Sequence, residues 1–202
     1  MTPNRKIDVA VYQKAKKGNY HCGDSYLYIE TEDEFICAIA DGLGSGEYAL
    51  ESSEITIDII KNNITASIEQ LVEKCNRKLL GKRGVVLGIL KLHFSTQTYS
   101  FSSIGNIGAM TVVNGKKIKR NIPNGGYLAG YKRPFKVVRE QLLPKMNFIL
   151  FSDGVSDDDL SKKLFLQSNV NDIVQSYEQE TDKDRKDDTT LIAIKYECDM
   201  ED

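Results

Sequence analysis

The stretch Phe35-Ile-Cys-Ala-Ile-Ala-Asp41-Gly42-Leu43-Gly44-Ser45-Gly46 decides how the rest of the chain is understood. Its first half is an uninterrupted run of apolar and small residues with β-branched members, the pattern of a short buried strand over Phe35 to Ala40. The run stops at an acid, Asp41, and glycines follow at 42, 44 and 46. From Glu47 to Asn62 the period changes, with Ala49, Leu50, Ile57 and Ile60 at helical spacing. A carboxylate therefore stands at the end of a stiff strand, at the mouth of a tight loop that feeds a helix. Chemically active groups are commonly held on loops fixed by rigid neighbours. The plainer alternative, in which Asp41 caps the helix and the glycines only turn the chain, fits this stretch equally well.

Working outward, Ile7 to Tyr12 predicts a first strand, Tyr26 to Glu30 a second and Phe35 to Ala40 a third, which closes a meander of the three through the acidic turn Thr31 to Glu34. After the first helix, Ser67 is the candidate cap of a second helix carrying Ile68, Leu71, Val72, Cys75 and Leu79 on one face. From Gly84 the pattern predicts strands over Val85 to Phe94, Thr98 to Ile104, Ala109 to Val113 and Lys116 to Asn121, the last two joined by the type I′ signal Asn114-Gly115. Phe135 to Gln141 and Met146 to Phe151 follow as strands, then helices over Val155 to Leu166 and Val170 to Thr181, then the charged loop Asp182 to Asp188 and a final strand, Thr189 to Tyr196. Helices come in pairs between runs of strands. That grouping predicts an α+β fold with mostly antiparallel sheets, not alternating βαβ units.

The 202 residues, 41% of them hydrophobic, predict a single domain over 1–202. A chain of this length buries roughly 70% of its unfolded surface, so it needs neither disulfide nor metal to fold. The 27 basic and 29 acidic residues are interspersed, which gives no electrostatic case for nucleic acid or an anionic membrane. Cys22, Cys37, Cys75 and Cys198 lack CxxC spacing and predict reduced thiols. The polar start (Thr2, Asn4, Arg5, Lys6) lacks the apolar core of a signal peptide, so the expectation is a cytoplasmic protein.

Four acids share one placement. Asp24 precedes the strand at 26–30, Asp41 ends that at 35–40, Asp153 ends that at 146–151 and Asp187, with Asp188, precedes the last. Asp41 and Asp153 are each followed by glycine, which lets backbone come close to a bound ion. Were the four to converge at a spacing of ~5 Å, each like-charge pair would cost ~3 kcal/mol at an effective dielectric of ~20. Several such pairs rival the whole stability of a domain, ~5–15 kcal/mol. Convergence therefore demands protons or cations, and an all-oxygen donor set favours Mg²⁺ or Mn²⁺ over Zn²⁺. Four unrelated acids in solvated loops remain the alternative on spacing alone.

Gly23-Asp24, Ala40-Asp41-Gly42, Ser152-Asp153-Gly154 and Asp187-Asp188-Thr189-Thr190 resemble, in order and in strand context, the acidic motifs of the PP2C-type metal-dependent protein phosphatases. Asp41 to Gly46 with Glu51-Ser52-Ser53, together with Lys82-Arg83-Gly84, Ser103 to Asn106 and Arg185 to Asp188, resemble the stand-alone feedback phosphatases of the stressosome branch. The resemblance implies a four-layer α/β/β/α sandwich, two antiparallel sheets flanked by helix pairs, with two Mn²⁺ or Mg²⁺ ions at one edge between the sheets. It implies Asp24, Asp41, the carbonyl of Gly42, Asp153 and Asp187 as metal ligands. Asp41, Asp153 and Asp187 become the catalytic acids, and a metal-activated water becomes the attacking group on phosphoserine or phosphothreonine. The implied partners are phosphorylated stressosome proteins, the STAS-domain scaffold and antagonist, with negative feedback on the stress response; the sequence does not fix the oligomeric state, for which a monomer is the expectation. The chain departs from the family pattern at Leu43, where many members carry His, and at Asn19 to Cys22, where many carry a phosphate-binding Arg. A catalytically weak protein that binds a phosphoprotein or scaffold is the rival reading, and a hydrolase of small phosphate esters is a third.

Other residues carry plainer expectations. His21 and His93 are expected on the surface, Asp157 to Asp159 at a helix start where acids suit the dipole, and Asp188 in the turn or beside the metals. Lys82 or Arg83 is the candidate replacement for the missing phosphate-binding cation. Gly44 to Gly46 is not followed by Gly-Lys-Ser/Thr, which excludes a P-loop.

Overall fold

A computed structural model of the chain describes residues 5–121, 123–181 and 186–198. Asp182 to Arg185, in the charged loop and the last of the motifs above, lie outside the described residues. Two five-stranded antiparallel sheets form the frame. The first has β1 (Arg5–Lys14), β10 (Thr189–Cys198), β9 (Lys145–Phe151), β6 (Gly108–Val113) and β7 (Lys116–Arg120) side by side in that order. The second has β2 (Asp24–Glu30), β3 (Glu34–Gly42), β4 (Val85–His93), β5 (Thr98–Ile104) and β8 (Val138–Gln141). Helices α1 (Glu47–Lys61) and α2 (Ile68–Lys78) cover the outer face of the second sheet, and α4 (Val170–Glu180), with the short α3 (Asp157–Ser161), covers the first.

Period-two alternation sorts each central strand between two cores. On β3, Phe35, Cys37 and Ile39 enter the core between the sheets, while Ile36, Ala38 and Ala40 pack beneath α1 and α2. On β9, Met146, Phe148 and Leu150 face between the sheets, while Ile149 and Phe151 face α4. This is the expected α/β/β/α sandwich. Burying both faces of β3, β9 and β10 explains why their sequences are continuous apolar runs.

The helix signals hold. Ser67 and Gln70 form a reciprocal capping box at the start of α2, and Ile68, Leu71, Val72, Cys75 and Leu79 are buried. Asn114 and Gly115 both take positive φ (49° and 70°), as the I′ hairpin between β6 and β7 requires. The four cysteines are free thiols. No helix among the described residues is long and apolar enough to cross a membrane.

Three expectations are corrected. β1 does not join β2 and β3 in a meander: it crosses to the other sheet and pairs with β10 along its whole length, Arg5 opposite Cys198 through Lys14 opposite Thr189. The helix expected over Val155 to Leu166 is broken at Lys162, whose backbone is extended (ψ 145°), into α3 and a 3-10 turn at Lys163–Leu166. The break lets Leu160, Leu164 and Phe165 all turn inward beneath the sheet. The strand expected from Phe135 shrinks to Val138–Gln141, because at Lys136 side chains replace the ladder: its N–H donates to Asn124 Oδ1 and its carbonyl accepts from Ser102 Oγ.

Candidate metal centre

β2 and β3 are paired so that Asp24 lies directly opposite Asp41. Opposed residues in an antiparallel pair share a face. Asp41 continues the Phe35, Cys37, Ile39 series and Asp24 the Tyr26 series, so both carboxylates point into the gap between the sheets at its open end. Gly42 closes β3 under the backbone of α1, where a Cβ would fall well inside contact distance of the Ala49 carbonyl. Only glycine lets the helix start so close to the acid.

The other two acids come from the facing sheet. Asp153 leaves the end of β9 and Asp187 precedes β10. These strand ends are locked by reciprocal bonds, Ser152 N–H to the Thr190 carbonyl and Thr190 N–H to Ser152 Oγ, both at 2.9 Å. Gly154 approaches the Asp188 carbonyl and the Thr189 hydroxyl so closely that a side chain there would collide with both.

Protein donors set the orientation of each acid. Thr190 Oγ1 donates to Asp24 Oδ2 (2.8 Å) and Gln13 Nε2 donates to the Asp24 carbonyl (3.1 Å), which joins the two sheets at the site. Asn106 Nδ2 donates to Asp153 Oδ2 at 2.6 Å. Asp188 is buried and spends its oxygens on backbone: Oδ1 accepts from Lys16 N–H and Oδ2 from Gly23 N–H, each at 2.9 Å. It is a pin that holds the loop before β2 against the head of β10. Asp187, its exposed neighbour, accepts from the Asp188 N–H through Oδ1 (2.9 Å), and its charge reaches the carboxyls of Asp41 and Asp153.

The electrostatics report the convergence. Burial first, then the charges of Asp24, Asp153, Asp187 and Asp188, push the carboxyl of Asp41 up to about 8. Burial likewise pushes Asp24 up to about 6, against the hydrogen bonds from Thr190 and Ser152. Asp153 is raised by burial and by Asp187. Among the described residues no three His, Cys, Asp or Glu side chains close into a finished cage. The carboxylates instead rest on the donors just named. An all-oxygen set of mutually repelling acids fits a pair of hard divalent cations, which would replace protons as the source of neutrality. Burial first, and then the charge of Asp24, push the Cys22 thiol up to about 12.

The remaining candidates sort cleanly. Arg83 lies at the site's rim, its guanidinium against Gly44, where a Cβ would come within 2.6 Å of Nη1. Gly44 takes φ +101°, and the loop is tied to the same segment by Leu43 N–H to the Gly84 carbonyl (2.8 Å). Lys82 is instead paired with Glu51 at 2.7 Å. Leu43 packs on the inter-sheet core. His21 is exposed in the loop before β2, and His93, at the far end of β4, neighbours Ser100 and Glu34. Asp157 pairs with Arg120, and Asp159 caps α3 with Ser156 and pairs with Lys162. Thr190, Asn106 and Ser152 lie within the motifs quoted above and Gln13 outside them, but spacing gives none of the four its supporting role, because their partners are distant in sequence.

Residues 31–197 match the family model "Stage II sporulation protein E (SpoIIE)". The phosphoserine phosphatase RsbX of Bacillus subtilis (strain 168) is 34% identical over 189 residues, 94% of each chain. A crystal structure of RsbX in complex with magnesium superposes with a TM-score of 0.87 at 32% identity, covering 96% of this chain and 99% of that one. A chain solved in work on the bacterial stressosome has a TM-score of 0.82 at 23% identity, covering 94% and 99%. The PP2C phosphatase domain of SpoIIE from Bacillus subtilis shares the fold, with a TM-score of 0.81 at 18% identity over 98% of this chain and 64% of that one. The chain belongs to the SpoIIE family and has the fold of the PP2C phosphatase domain.

Proposed function

We propose that the protein is a cytoplasmic feedback phosphatase that removes phosphate from phosphoserine or phosphothreonine on stressosome proteins, the STAS-domain scaffold and antagonist, and so damps a general stress response. The observation that carries this reading is the meeting of Asp24 and Asp41 from one sheet with Asp153 and Asp187 from the other at a single open edge. The relation to RsbX supports the pathway.

In this reading Asp24, Asp41, the Gly42 carbonyl, Asp153 and Asp187 would hold two Mn²⁺ or Mg²⁺ ions. Bound divalent ions supply charge neutralisation and acidify water for attack on phosphorus. The chain's own residues do the positioning. Thr190 and Gln13 fix Asp24, Asn106 fixes Asp153, and Asp188 keeps the two strand ends together. Arg83, without an acidic partner among the described residues, is the cation placed to meet the substrate phosphate. Direct hydrolysis without a phospho-enzyme completes this reading.

The test is phosphate release from a phosphothreonine peptide and from p-nitrophenyl phosphate, with Mn²⁺, with EDTA and with Asp41→Ala. Release should require the metal and fall by at least 100-fold in the variant. A folded protein that binds phosphoprotein under saturating Mn²⁺ and releases nothing would replace this reading with a binding-only role. Arg83→Ala should raise KM several-fold with a smaller effect on kcat; an unchanged KM removes Arg83 from the phosphate.

A further inference from the structure

We propose that the rim formed by residues 79–84 and 124–133 is a docking platform for phosphorylated protein segments whose phosphoresidue is flanked by acidic and apolar side chains. This inference rests on the phosphatase reading and specifies the substrate class for that site.

The platform is rigid. Residues 124–133 belong to no sheet, yet they are fastened at several points. Val85 and Leu128 exchange backbone hydrogen bonds at 2.9 and 2.8 Å. Asn76 on α2 accepts from the N–H groups of Ala129 and Gly130 through Oδ1 and donates through Nδ2 to the Tyr131 carbonyl. Leu128 is buried, and Gly130, at φ +90°, lies against Leu80. A surface ordered beforehand loses little conformational entropy on binding.

What this fastened loop turns outward is unusual for a solvated surface. Tyr131 is 71% exposed, Leu80 66% and Tyr127 41%, three large apolar side chains on adjoining segments. Arg83, Lys132 and Arg133 stand on the same two segments, and none has an acidic partner among the described residues. Arg133 stacks on the Tyr127 ring at 5.2 Å. In a chain of net charge −2 this is a local excess of unpaired positive charge. Aromatic and arginine side chains together on a stiff support are the composition of binding hot spots.

The platform is continuous with the acidic site. Tyr127 packs over Gly84, whose carbonyl holds Leu43, and Arg83 lies on Gly44 two residues beyond Gly42. A polypeptide that presents its phosphate to the carboxylate edge therefore has this rim as one wall. Its acidic residues meet Lys132 and Arg133, and its apolar residues meet Tyr131 and Leu80. Charge steers such a chain towards this wall and away from the like-charged acids of the centre.

Three substrates test the platform under saturating Mn²⁺: a phosphothreonine peptide flanked by Asp, Glu and Leu, the same peptide with Lys replacing the acids, and p-nitrophenyl phosphate. The wild type should favour the acidic peptide by tenfold or more in kcat/KM. The double variant Lys132→Glu/Arg133→Glu should abolish or invert that preference while p-nitrophenyl phosphate turnover stays within twofold. Tyr131→Ala should raise KM for the acidic peptide several-fold. Equal use of both peptides by the wild type, a preference that survives charge reversal, or an equal loss on the aryl phosphate would overturn the platform. If the wild type hydrolyses none of the three, the phosphatase reading has failed. Fluorescence anisotropy of the acidic peptide then decides the platform by itself: weaker binding by the double variant supports it and equal binding overturns it.

Discussion

Asp41 is held where its own charge is unwelcome. Its carboxyl, ordinarily near 3.8, is pushed up to about 8 by burial and by four neighbouring acids, and Asp24 up to about 6 by burial. A group that holds its proton more tightly folded than unfolded costs stability as pH rises between the two values. These two groups should therefore favour the folded metal-free protein most below about pH 4, and that contribution should be lost progressively as the pH rises towards 8. Divalent ions compete with those protons, so the rise in Tm on adding Mn²⁺ should be larger at pH 8 than at pH 5.5. Equal rises at both values would show that Asp24 and Asp41 are not the ligands. Asp41→Asn removes the repulsion with little change of shape, so it should raise Tm of the metal-free protein at pH 8 while abolishing Mn²⁺-dependent turnover; a lowered Tm would contradict the electrostatic picture. The acids themselves were legible as strand-end residues within family motifs. The division of labour between Asp187 and Asp188 was not. Adjacent acids have the same local preferences, and only Lys16 and Gly23, far away in sequence, reveal that Asp188 is committed to backbone donors.

Strand ends can carry this chemistry because glycines let neighbouring elements close on them. Gly154→Ala should drive the Asp188 carbonyl and Thr189 away from the head of β9, costing about 2 kcal/mol or more and weakening Mn²⁺ binding at least tenfold. Gly125→Ala, where an added Cβ meets nothing within 4 Å, should leave Tm within about 1–2 °C, which makes it the control for that measurement. On the opposite side of the second sheet, buried Lys91 on β4 pairs with Glu34 at 2.9 Å and donates to the carbonyls of Ile64 and Ala66. It ties the α1–α2 connection to the sheet. Lys91→Met should cost about 3–5 kcal/mol by stranding Glu34, read as a lower urea midpoint, with kcat per folded molecule unchanged. Element identity was largely legible because period and caps agree locally, as Ser67 and Gln70 show at α2. The failures lie where a distant side chain or a tertiary demand overrules local pattern: Asn124 and Ser102 take over the backbone at Lys136, and the first sheet draws Leu160, Leu164 and Phe165 inward across the break at Lys162.

The two sheets of the whole molecule meet at one edge through very few groups. Thr190 with Asp24, and Asp188 with Gly23, connect β10 to β2, and the acids sit around that seam. The partition of strands between sheets was the least legible feature. Hydrophobic period places β1 in a sheet, but nothing within ten residues of it says that its partner is β10, at the far end of the chain. That long-range pairing brings Gln13 and Lys16, at and just beyond the end of β1, to the seam, so the topology that local pattern could not supply completes the site. The measurement closest to the chemistry is calorimetric titration of the protein with Mn²⁺ at pH 8, wild type beside Asp41→Asn. The wild type should take up two ions with release of protons, and the variant at most one, weakly and with fewer protons displaced. Uptake by Asp41→Asn that matches the wild type in number and affinity would show that the carboxylates at the seam are not a metal centre.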